Sequence, residues 1–257
     1  MTREPRVSPE VLEALGLGPA WVLRQGGAPA TAVAAGVAVA GPSATPIAEP
    51  EGDEGAPRVR AGAIAAMDWP SLEGAVAGCN ACALARTRTR TVFGVGDRAA
   101  RWLFVGEGPG AEEDARGEPF VGKAGQLLDA MLAAIGLKRG QGVFIANVVK
   151  CRPPANRNPE PAEAACCMPF LERQVDLIRP RLIVALGKVA AVTLLNQDST
   201  VAALRGRVHG YRGSPLLVTY HPAYLLRNPP DKAKAWEDLC LARDTMAHIE
   251  AGALADG

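Results

Sequence analysis

A glycine-rich stretch from Gly106 to Gly125 contains side chains that could bind a small polar ligand. Its glycines let backbone come close to a ligand, the carboxylates of Glu107 and Glu113 offer hydrogen-bond acceptors, and Phe120 offers a flat face for stacking. The stretch follows a short apolar run and precedes an amphipathic one, so we expect a long loop that leaves a strand and enters a helix. These features favour a binding site over a simple connection.

The same stretch does not match two common phosphate-binding patterns. Its glycines lack the G-x-G-x-x-G spacing of a dinucleotide site, and the successive acidic residues Glu112, Glu113 and Asp114 would repel a phosphate at the helix start. Lys123 is followed by Ala124, whereas the lysine of a P-loop is followed by Ser or Thr. We therefore set both kinds of site aside.

A second motif, residues 147–159, begins at the end of an apolar, β-branched run. Proline removes backbone donors that helices and sheets need, so the strand must end by Cys151 and continue as a loop that carries Arg152 and Arg157. Asn147 offers one acceptor and two donors. That set suits the amide-like edge of a pyrimidine, although the amide could instead only stabilise a turn.

A third motif, residues 220–229, places His221 before a proline, which restricts its backbone. A single histidine is more often structural, but this one follows a predicted strand, as the other two motifs do. On the next loop, Leu225 and Leu226 resemble an apolar wedge that enters a base stack, with Arg227 on a phosphate. The two leucines could instead pack within a helix.

Five of the six cysteines lie in two regions of the chain. Cys79 and Cys82 have CxxC spacing, and Cys151 is followed by the adjacent pair Cys166 and Cys167. Four thiolates from these two places could bind zinc or a [4Fe–4S] cluster, and spacing alone does not separate them. A redox dithiol fits less well, because Cys79 follows a short predicted helix instead of starting one. Unligated core thiols stay an alternative for this set.

The elements that must position these residues alternate along the chain. Apolar runs at 102–105, 143–149, 182–186 and 216–220 predict strands, and helical patterns follow at 124–135, 160–178, 188–196 and 232–250. This alternation predicts an α/β fold: a three-layer α/β/α arrangement with a central, mainly parallel four-stranded sheet. Ligands bind outside the carboxyl ends of such strands, where all three motifs lie. We therefore expect one shared cleft.

The sequence predicts that the whole chain consists of four segments. We expect an N-terminal helical segment in residues 1–24, a disordered, Ala/Gly/Pro-rich linker in residues 25–67, the folded domain in residues 68–250 and a C-terminal tail in residues 251–257. The flexible extension thus precedes the α/β domain. Function is expected in the folded domain.

Composition limits the class of protein. The 257 residues carry a net charge of +1, so no global basic field demands nucleic acid, and any such contact must come from local patches. No apolar run approaches the roughly 18 residues of a membrane span, and the first residues lead into no signal-like apolar core. We expect a cytoplasmic protein without a disulfide framework.

Together the three motifs resemble those of the family 4 uracil-DNA glycosylases, the iron–sulfur-containing branch of the uracil-DNA glycosylase superfamily. The resemblance covers residues 71–246. It rests on Gly-Glu-Gly-Pro-Gly with Pro-Phe-Val-Gly, on Asn-Val-Val-Lys-Cys-Arg-Pro-Pro-x-Asn-Arg, and on His-Pro-Ala-Tyr-Leu-Leu-Arg. It implies a monomer that acts on single- or double-stranded DNA containing uracil.

The resemblance also implies roles for individual residues. Uracil would stack on Phe120 and be contacted by Asn147 and His221, in a pocket that Gly106, Glu107 and Gly108 line. His221 would donate to the uracil O2 as the glycosidic bond breaks, while Glu107 and Glu113 are candidates for handling the attacking water. Leu225, Leu226, Arg227, Arg152 and Arg157 would contact DNA.

The cofactor implied by the resemblance is a structural [4Fe–4S] cluster, and its ligands would be Cys79, Cys82, Cys151 and Cys167, with Cys166 as an alternative fourth ligand. The expected activity is that of a hydrolase that removes uracil from DNA and leaves an abasic site. The alternative is a non-catalytic iron–sulfur module that binds DNA or accompanies a polymerase.

Overall fold

A six-stranded sheet forms the centre of the protein. The computed structural model describes residues 55–252, with side chains from Arg58 onward. Its strands are β1 (Val95–Gly96), β2 (Trp102–Gly106), β3 (Val143–Asn147), β4 (Leu182–Leu186), β5 (His209–Tyr211) and β6 (Ser214–Thr219), in the order β1-β3-β2-β4-β6-β5. The pairs β2–β3, β2–β4 and β4–β6 are parallel, and the edge strands β1 and β5 are antiparallel to their neighbours.

Helices cover both faces of this sheet. They are α1 (Gly55–Ala65), α2 (Trp69–Ala77), α3 (Ala111–Arg116), α4 (Lys123–Ala134), α5 (Pro161–Ile178), α6 (Lys188–Leu195), α7 (Val201–Leu204), α8 (Pro222–Arg227) and α9 (Lys232–Glu250). Leu103 and Val105 of β2 pack into one core cluster with α1, α2, α5 and α6, while Phe104 packs into another with α4 and α9. Alternate residues of one strand thus face opposite helical layers.

The predicted three-layer α/β/α fold is confirmed, and its four predicted strands are the parallel centre of the sheet. The sequence did not predict the two edge strands, which span only two and three residues. Neither strand has a buried apolar run, since all their residues are half-buried or exposed. Within residues 55–252, no helix is long and apolar enough to cross a membrane.

The predicted linker, residues 25–67, extends into a segment that is helical in the structure. Residues 55–65, within the predicted linker, form helix α1, and Ile64 of this helix is only 3% exposed in the core cluster that contains Leu72 and Phe170. The prediction for this part of residues 25–67 is therefore wrong. The sequence does not predict this helix because its apolar residues are mostly Ala and Gly, and few large side chains show a helical hydrophobic periodicity. The predicted helix in residues 1–24, the earlier part of the linker and residues 253–257 lie outside the described residues.

Candidate functional site

An open cavity of about 430 Å³ lies at the carboxyl ends of the parallel strands. It is lined by eight of the predicted site residues: Glu107, Gly108, Glu113, Phe120, Asn147, Arg157, His221 and Arg227. Gly106 lies behind them at the end of β2, where a Cβ atom would come within 2.5 Å of Asn147 Oδ1 and 2.7 Å of Phe120 Cζ. Glycine at this position therefore leaves room for both side chains.

Asn147 is the last residue of β3 and is only 2% exposed. Its Oδ1 is buried and has no hydrogen-bond partner among the described residues. Its backbone oxygen accepts a hydrogen bond of 2.9 Å from the fully buried Lys150 Nζ. Because a buried polar atom without a partner is costly, the free Oδ1 marks a place where a ligand with a donor would be stabilised.

Phe120 is held in an unusual backbone conformation. Its φ is 54°, in the left-handed region that non-glycine residues seldom adopt, and its side chain is 6% exposed. The Arg139 guanidinium donates to the Phe120 oxygen at 2.8 Å and to the Pro119 oxygen at 2.9 Å. At Gly125, a Cβ atom would lie 1.8 Å from the Phe120 oxygen, so only glycine allows this approach. The ring is thereby fixed at the cavity.

His221 is the N-cap residue that precedes helix α8, and its Nδ1 accepts a hydrogen bond of 3.1 Å from the Ala223 backbone N–H. Since Nδ1 is an acceptor, the neutral ring carries its proton on Nε2. Burial, followed by the charge of Arg227, lowers the pKa of His221 to about 4, against an opposite effect of Glu113. Its ring centroid is 5.5 Å from that of Phe120. The site therefore contains a neutral imidazole with one free donor.

Two residues of the glycine-rich loop, Glu107 and Gly108, determine which side chain could position an attacking water. Burial raises the pKa of the half-buried Glu107 carboxyl, and this carboxyl lines the cavity without a hydrogen-bond partner in the described chain. At Gly108, a Cβ atom would lie 2.6 Å from Cγ2 of Val149, which is fully buried. A longer side chain at Gly108 would therefore require Val149 to move.

Glu113 stabilises the loop itself. One carboxylate oxygen accepts from the backbone N–H groups of Val121 at 2.9 Å and Gly122 at 3.2 Å, and the other accepts from that of Gly110 at 3.1 Å. The side chain thus joins the start of helix α3 to the residues that precede helix α4. Both of its oxygens are engaged by the backbone.

A second, smaller cavity is lined by five cysteines: Cys79, Cys82, Cys151, Cys166 and Cys167. Cys79 and Cys82 follow α2, Cys151 follows β3, and the other two lie on α5. Burial raises the pKa of the Cys151 and Cys82 thiols and raises that of Cys167 to about 12. No group of three or more His, Cys, Asp or Glu within residues 55–252 is placed to hold a single metal ion.

Basic groups surround the cysteine cavity. Arg88 donates to the Cys151 sulfur at 3.3 Å and to the Cys79 backbone oxygen at 2.7 Å. The Lys150 backbone N–H donates to the Cys167 sulfur at 3.2 Å, and its Nζ donates to Gln174 Oε1 at 2.6 Å. Burial lowers the pKa of Lys150 to about 8. Such donors and charges would offset the negative charge of several thiolates.

Comparison with known proteins decides the family. A family model of the uracil DNA glycosylase superfamily matches residues 93–240. The chain is 42% identical over 183 residues to the type-4 uracil-DNA glycosylase of Pyrobaculum aerophilum, which covers 68% of this chain and 93% of that protein. The chain belongs to the uracil DNA glycosylase superfamily.

Other members of this superfamily are also similar to the chain. The type-4 uracil-DNA glycosylase of Archaeoglobus fulgidus is 45% identical over 159 residues, covering 59% of this chain and 79% of that protein. That of Thermotoga maritima is 47% identical over 152 residues, covering 58% and 79%.

In this uracil DNA glycosylase superfamily member, the structure corrects one of the predicted DNA contacts. Leu225 is 1% exposed and packs in a core cluster with Leu127 and Met131, whereas Leu226 is 43% exposed. Leucines that are neighbours on a helix point about 100° apart, so only one of them can face solvent here. The prediction that Leu225 contacts DNA is therefore wrong.

Arg157, for which DNA contact stays a prediction, also has partners within the protein. Its guanidinium forms a two-pronged ion pair with Glu163, at 2.7 and 2.8 Å, and donates to the Asn158 oxygen. These bonds fix the loop to the start of α5, so the side chain has a structural role in addition to lining the cavity. Arg152 donates through Nε to Asn156 Oδ1 at 2.8 Å.

Several residues that shape the superfamily site were missed in the sequence. Arg139 and Gly125 fix Phe120, and Gly187 has a φ of 88° and would place a Cβ atom 2.8 Å from the His221 Cβ. Tyr224 and Asn156 also line the cavity. Arg139 lies 19 residues from Phe120 in the chain, and no local pattern predicts such a contact. Gly187 could have been suspected, because a glycine follows the apolar run of β4 at the cavity end.

Proposed function

We propose that this protein removes uracil from DNA by hydrolysing the bond between the base and the sugar, leaving an abasic site. The observation that carries this proposal is the cavity in which the unpaired Asn147 Oδ1, the Phe120 ring and the neutral His221 come together. A free acceptor, a stacking face and a free donor match one flat base with an N–H group and carbonyl oxygens. The substrate would be uracil-containing DNA, single- or double-stranded.

Binding begins with the extrusion of the target nucleotide, which costs a few kcal/mol of stacking and pairing. In the cavity the uracil ring would stack on Phe120, and Asn147 would accept from N3–H and donate to O4. Because Asn147 lies at the end of a buried strand, its amide has little freedom to turn and favour another base. This rigidity supports a role in base selection.

His221 would act on the leaving base. As the glycosidic bond breaks, negative charge develops on uracil O2 and the sugar becomes cation-like. The Nε2–H of a neutral His221 would donate to this oxygen, and a fixed donor of this kind contributes roughly 10²–10³ in rate. Neutrality is supported by the lowered pKa, about 4, that burial and Arg227 give the ring. No covalent enzyme intermediate is required.

We further propose that Glu107, and not Glu113, positions the attacking water. Both oxygens of Glu113 accept backbone hydrogen bonds, whereas Glu107 lines the cavity with a free carboxyl. The restricted space at Gly108 excludes a side chain that could take this role there. Glu113 then belongs to the wall of the pocket beside the base.

DNA outside the pocket would contact the rim. Leu226 is the exposed leucine of α8 and would enter the gap that the flipped nucleotide leaves, with the exposed Arg227 on a phosphate. Arg152, on the loop that follows β3, would add a second phosphate contact. This assignment keeps the predicted wedge but reduces it to one leucine.

We propose that the cysteine cavity holds a [4Fe–4S] cluster through Cys79, Cys82, Cys151 and Cys167. The donor set fits, because thiolates are the usual ligands of such clusters, and because the Arg88 guanidinium donates to the Cys151 sulfur and the Lys150 backbone N–H to the Cys167 sulfur. A cluster of four irons spreads its ligands further apart than one ion does, in keeping with five cysteines that line one cavity without a single-ion site. Cys167 is favoured over Cys166 because it is the more buried. When bound, the cluster would hold the loops of the site in place.

Release of free uracil tests the proposed activity. The purified protein should release uracil from a uracil-containing oligonucleotide and leave a strand that breaks in hot alkali, while the matched oligonucleotide with thymine stays intact. A non-catalytic DNA-binding module would bind the first oligonucleotide without releasing base. Failure to release uracil where a known glycosylase does so would refute the proposal. The cytoplasmic location and the monomeric state stay predictions.

A further inference from the structure

A surface groove beside helix α1 reaches one of the cysteines. The groove is lined by Arg60, Ile64, Met67, Cys79 and Phe170, among others. Cys79 and Phe170 also line the cysteine cavity on the other side. Cys79 therefore lies between the cavity and the solvent-facing groove, and Arg60 lies in that groove beside it.

Arg60 makes three contacts that direct its guanidinium towards Cys79. One nitrogen donates to the Cys166 backbone oxygen at 2.7 Å, and another donates to the Cys79 sulfur at 3.6 Å. Its central carbon lies 4.8 Å from the centroid of the Phe170 ring. A planar group held on two edges and one face has little freedom to leave the sulfur.

Helix α1 itself is anchored where it carries Arg60. Ile64, one helical turn further on, is 3% exposed and packs into the core cluster of Val76, Cys167 and Phe170. Arg60 and Ile64 are four residues apart, so they lie on the same face of the helix. That face is turned towards the cysteine cavity, although residues 55–65 precede the segment that the family model matches.

We propose that Arg60 is a sulfur-directed hydrogen-bond donor to the metal site, and that it and helix α1 close the Cys79 side of that site against solvent. The inference rests on the cluster proposed above. A permanent positive charge with a donor to a ligating sulfur stabilises the electron-rich thiolate and raises the reduction potential of a cluster. Arg88 provides the equivalent contact to the Cys151 sulfur, so the two arginines act on different ligands.

The test compares Arg60→Met with Arg58→Met in the full-length protein, purified without air and with its iron counted. Met keeps the aliphatic contact with Phe170 but removes the donors and the charge, while Arg58 is an exposed arginine on the same helix. A ferrous chelator is added, and the rate of iron release is measured. We expect about tenfold faster release from Arg60→Met, with a lower reduction potential, and rates like wild type for Arg58→Met. Arg60→Lys should restore part of the difference.

Equal release rates and potentials for wild type and Arg60→Met would overturn the inference. Wild-type protein without iron and sulfide would overturn it together with the cluster assignment. Iron-loaded wild type that releases no uracil would refute the proposed activity alone, because iron release and potential do not depend on catalysis. If Arg60→Met is isolated only without iron while Arg58→Met keeps it, the inference is supported.

Discussion

At the scale of single residues, the site combines two uncharged polar groups with one aromatic ring. His221 is fixed as a donor at Nε2 because Ala223 N–H occupies Nδ1, and Asn147 keeps an acceptor that no described residue uses. A charged imidazolium would attract the ground-state base and the DNA phosphates about as strongly as it attracts the transition state. A neutral donor contributes mainly as charge develops on the leaving oxygen.

The low pKa of His221 predicts how stability depends on pH. An unfolded histidine binds a proton below about pH 6.5, whereas the folded ring stays neutral down to about pH 4. The unfolded state therefore binds more protons in this window, so the free energy of unfolding should fall as pH drops from 6.5 to 4. Urea unfolding of wild type and His221→Asn at several pH values between 4 and 6.5 measures this change in the free energy of unfolding. A pH slope that is the same in both proteins would contradict the lowered pKa.

Removal of the Glu113 side chain should mainly affect stability and KM, whereas removal of the Glu107 side chain should mainly affect kcat. Glu113→Ala leaves the N–H groups of Gly110, Val121 and Gly122 without their acceptor, and we expect a stability loss of roughly 1–3 kcal/mol with a higher KM. Glu107→Ala should change stability by less than about 0.5 kcal/mol and lower kcat. Urea unfolding and steady-state kinetics separate the two. Wild-type stability with a pure loss of kcat in Glu113→Ala would make Glu113 the catalytic carboxylate instead.

At the scale of elements, the short helix α8 positions several of the candidate site residues. Helix α8 spans six residues, yet His221 caps its start and it carries the buried Leu225 and the exposed Leu226. Its position is fixed because Tyr224 donates to Asp231 at 2.7 Å and stacks on Tyr220. This segment thereby connects the proposed catalytic donor to the rim that would meet DNA.

The two leucines of α8 form a matched pair for testing the wedge. Leu226→Ala should slow uracil release from duplex DNA more than from single-stranded DNA, because only the duplex must be opened. Leu225→Ala should instead cost about 2–5 kcal/mol of stability without changing that ratio. Single-turnover rates on both substrates, together with urea unfolding, give the answer. An unchanged duplex-to-single-strand ratio in Leu226→Ala would exclude the wedge role.

Helix α1 provides a second matched pair. Ile64→Ala should destabilise the protein by about 2–5 kcal/mol, since the side chain is 3% exposed, whereas Val59→Ala, at a site 74% exposed, should change stability by less than about 0.5 kcal/mol. Thermal or urea unfolding measures both. If Ile64→Ala were as stable as Val59→Ala, the residues around it would behave as the linker that the sequence predicted.

At the scale of the whole molecule, the segment from Asn147 to Cys151 joins the two cavities. Asn147 lines the larger cavity and Cys151 lines the cysteine cavity, with the buried Lys150 between them. Lys150 bonds to the Asn147 oxygen and to Gln174 of α5, the helix that carries Cys167. Ligation of the cysteines would therefore stiffen the support of Asn147, the proposed base-recognition residue.

Much of this arrangement could be predicted from sequence because it depends on local patterns. Apolar runs marked the four central strands, and glycine, proline and polar residues after them marked the cavity, since strand ends gather on one edge of a parallel sheet. Contacts between distant residues could not be predicted. Arg139 on Phe120, Gly187 against His221 and Arg60 on Cys79 depend on packing between elements. The burial of Leu225 depended on helix rotation, which the sequence left open.

In the mechanism proposed above, neutral His221 promotes cleavage of a uracil that Asn147 holds. The most direct measurement is the single-turnover rate of uracil release by wild type, His221→Ala and Asn147→Ala on one uracil-containing oligonucleotide, with circular dichroism to confirm folding. We predict that His221→Ala is slower by about 10²–10³ and that Asn147→Ala also loses most of its rate. Folded variants that release uracil at the wild-type rate would contradict the claim.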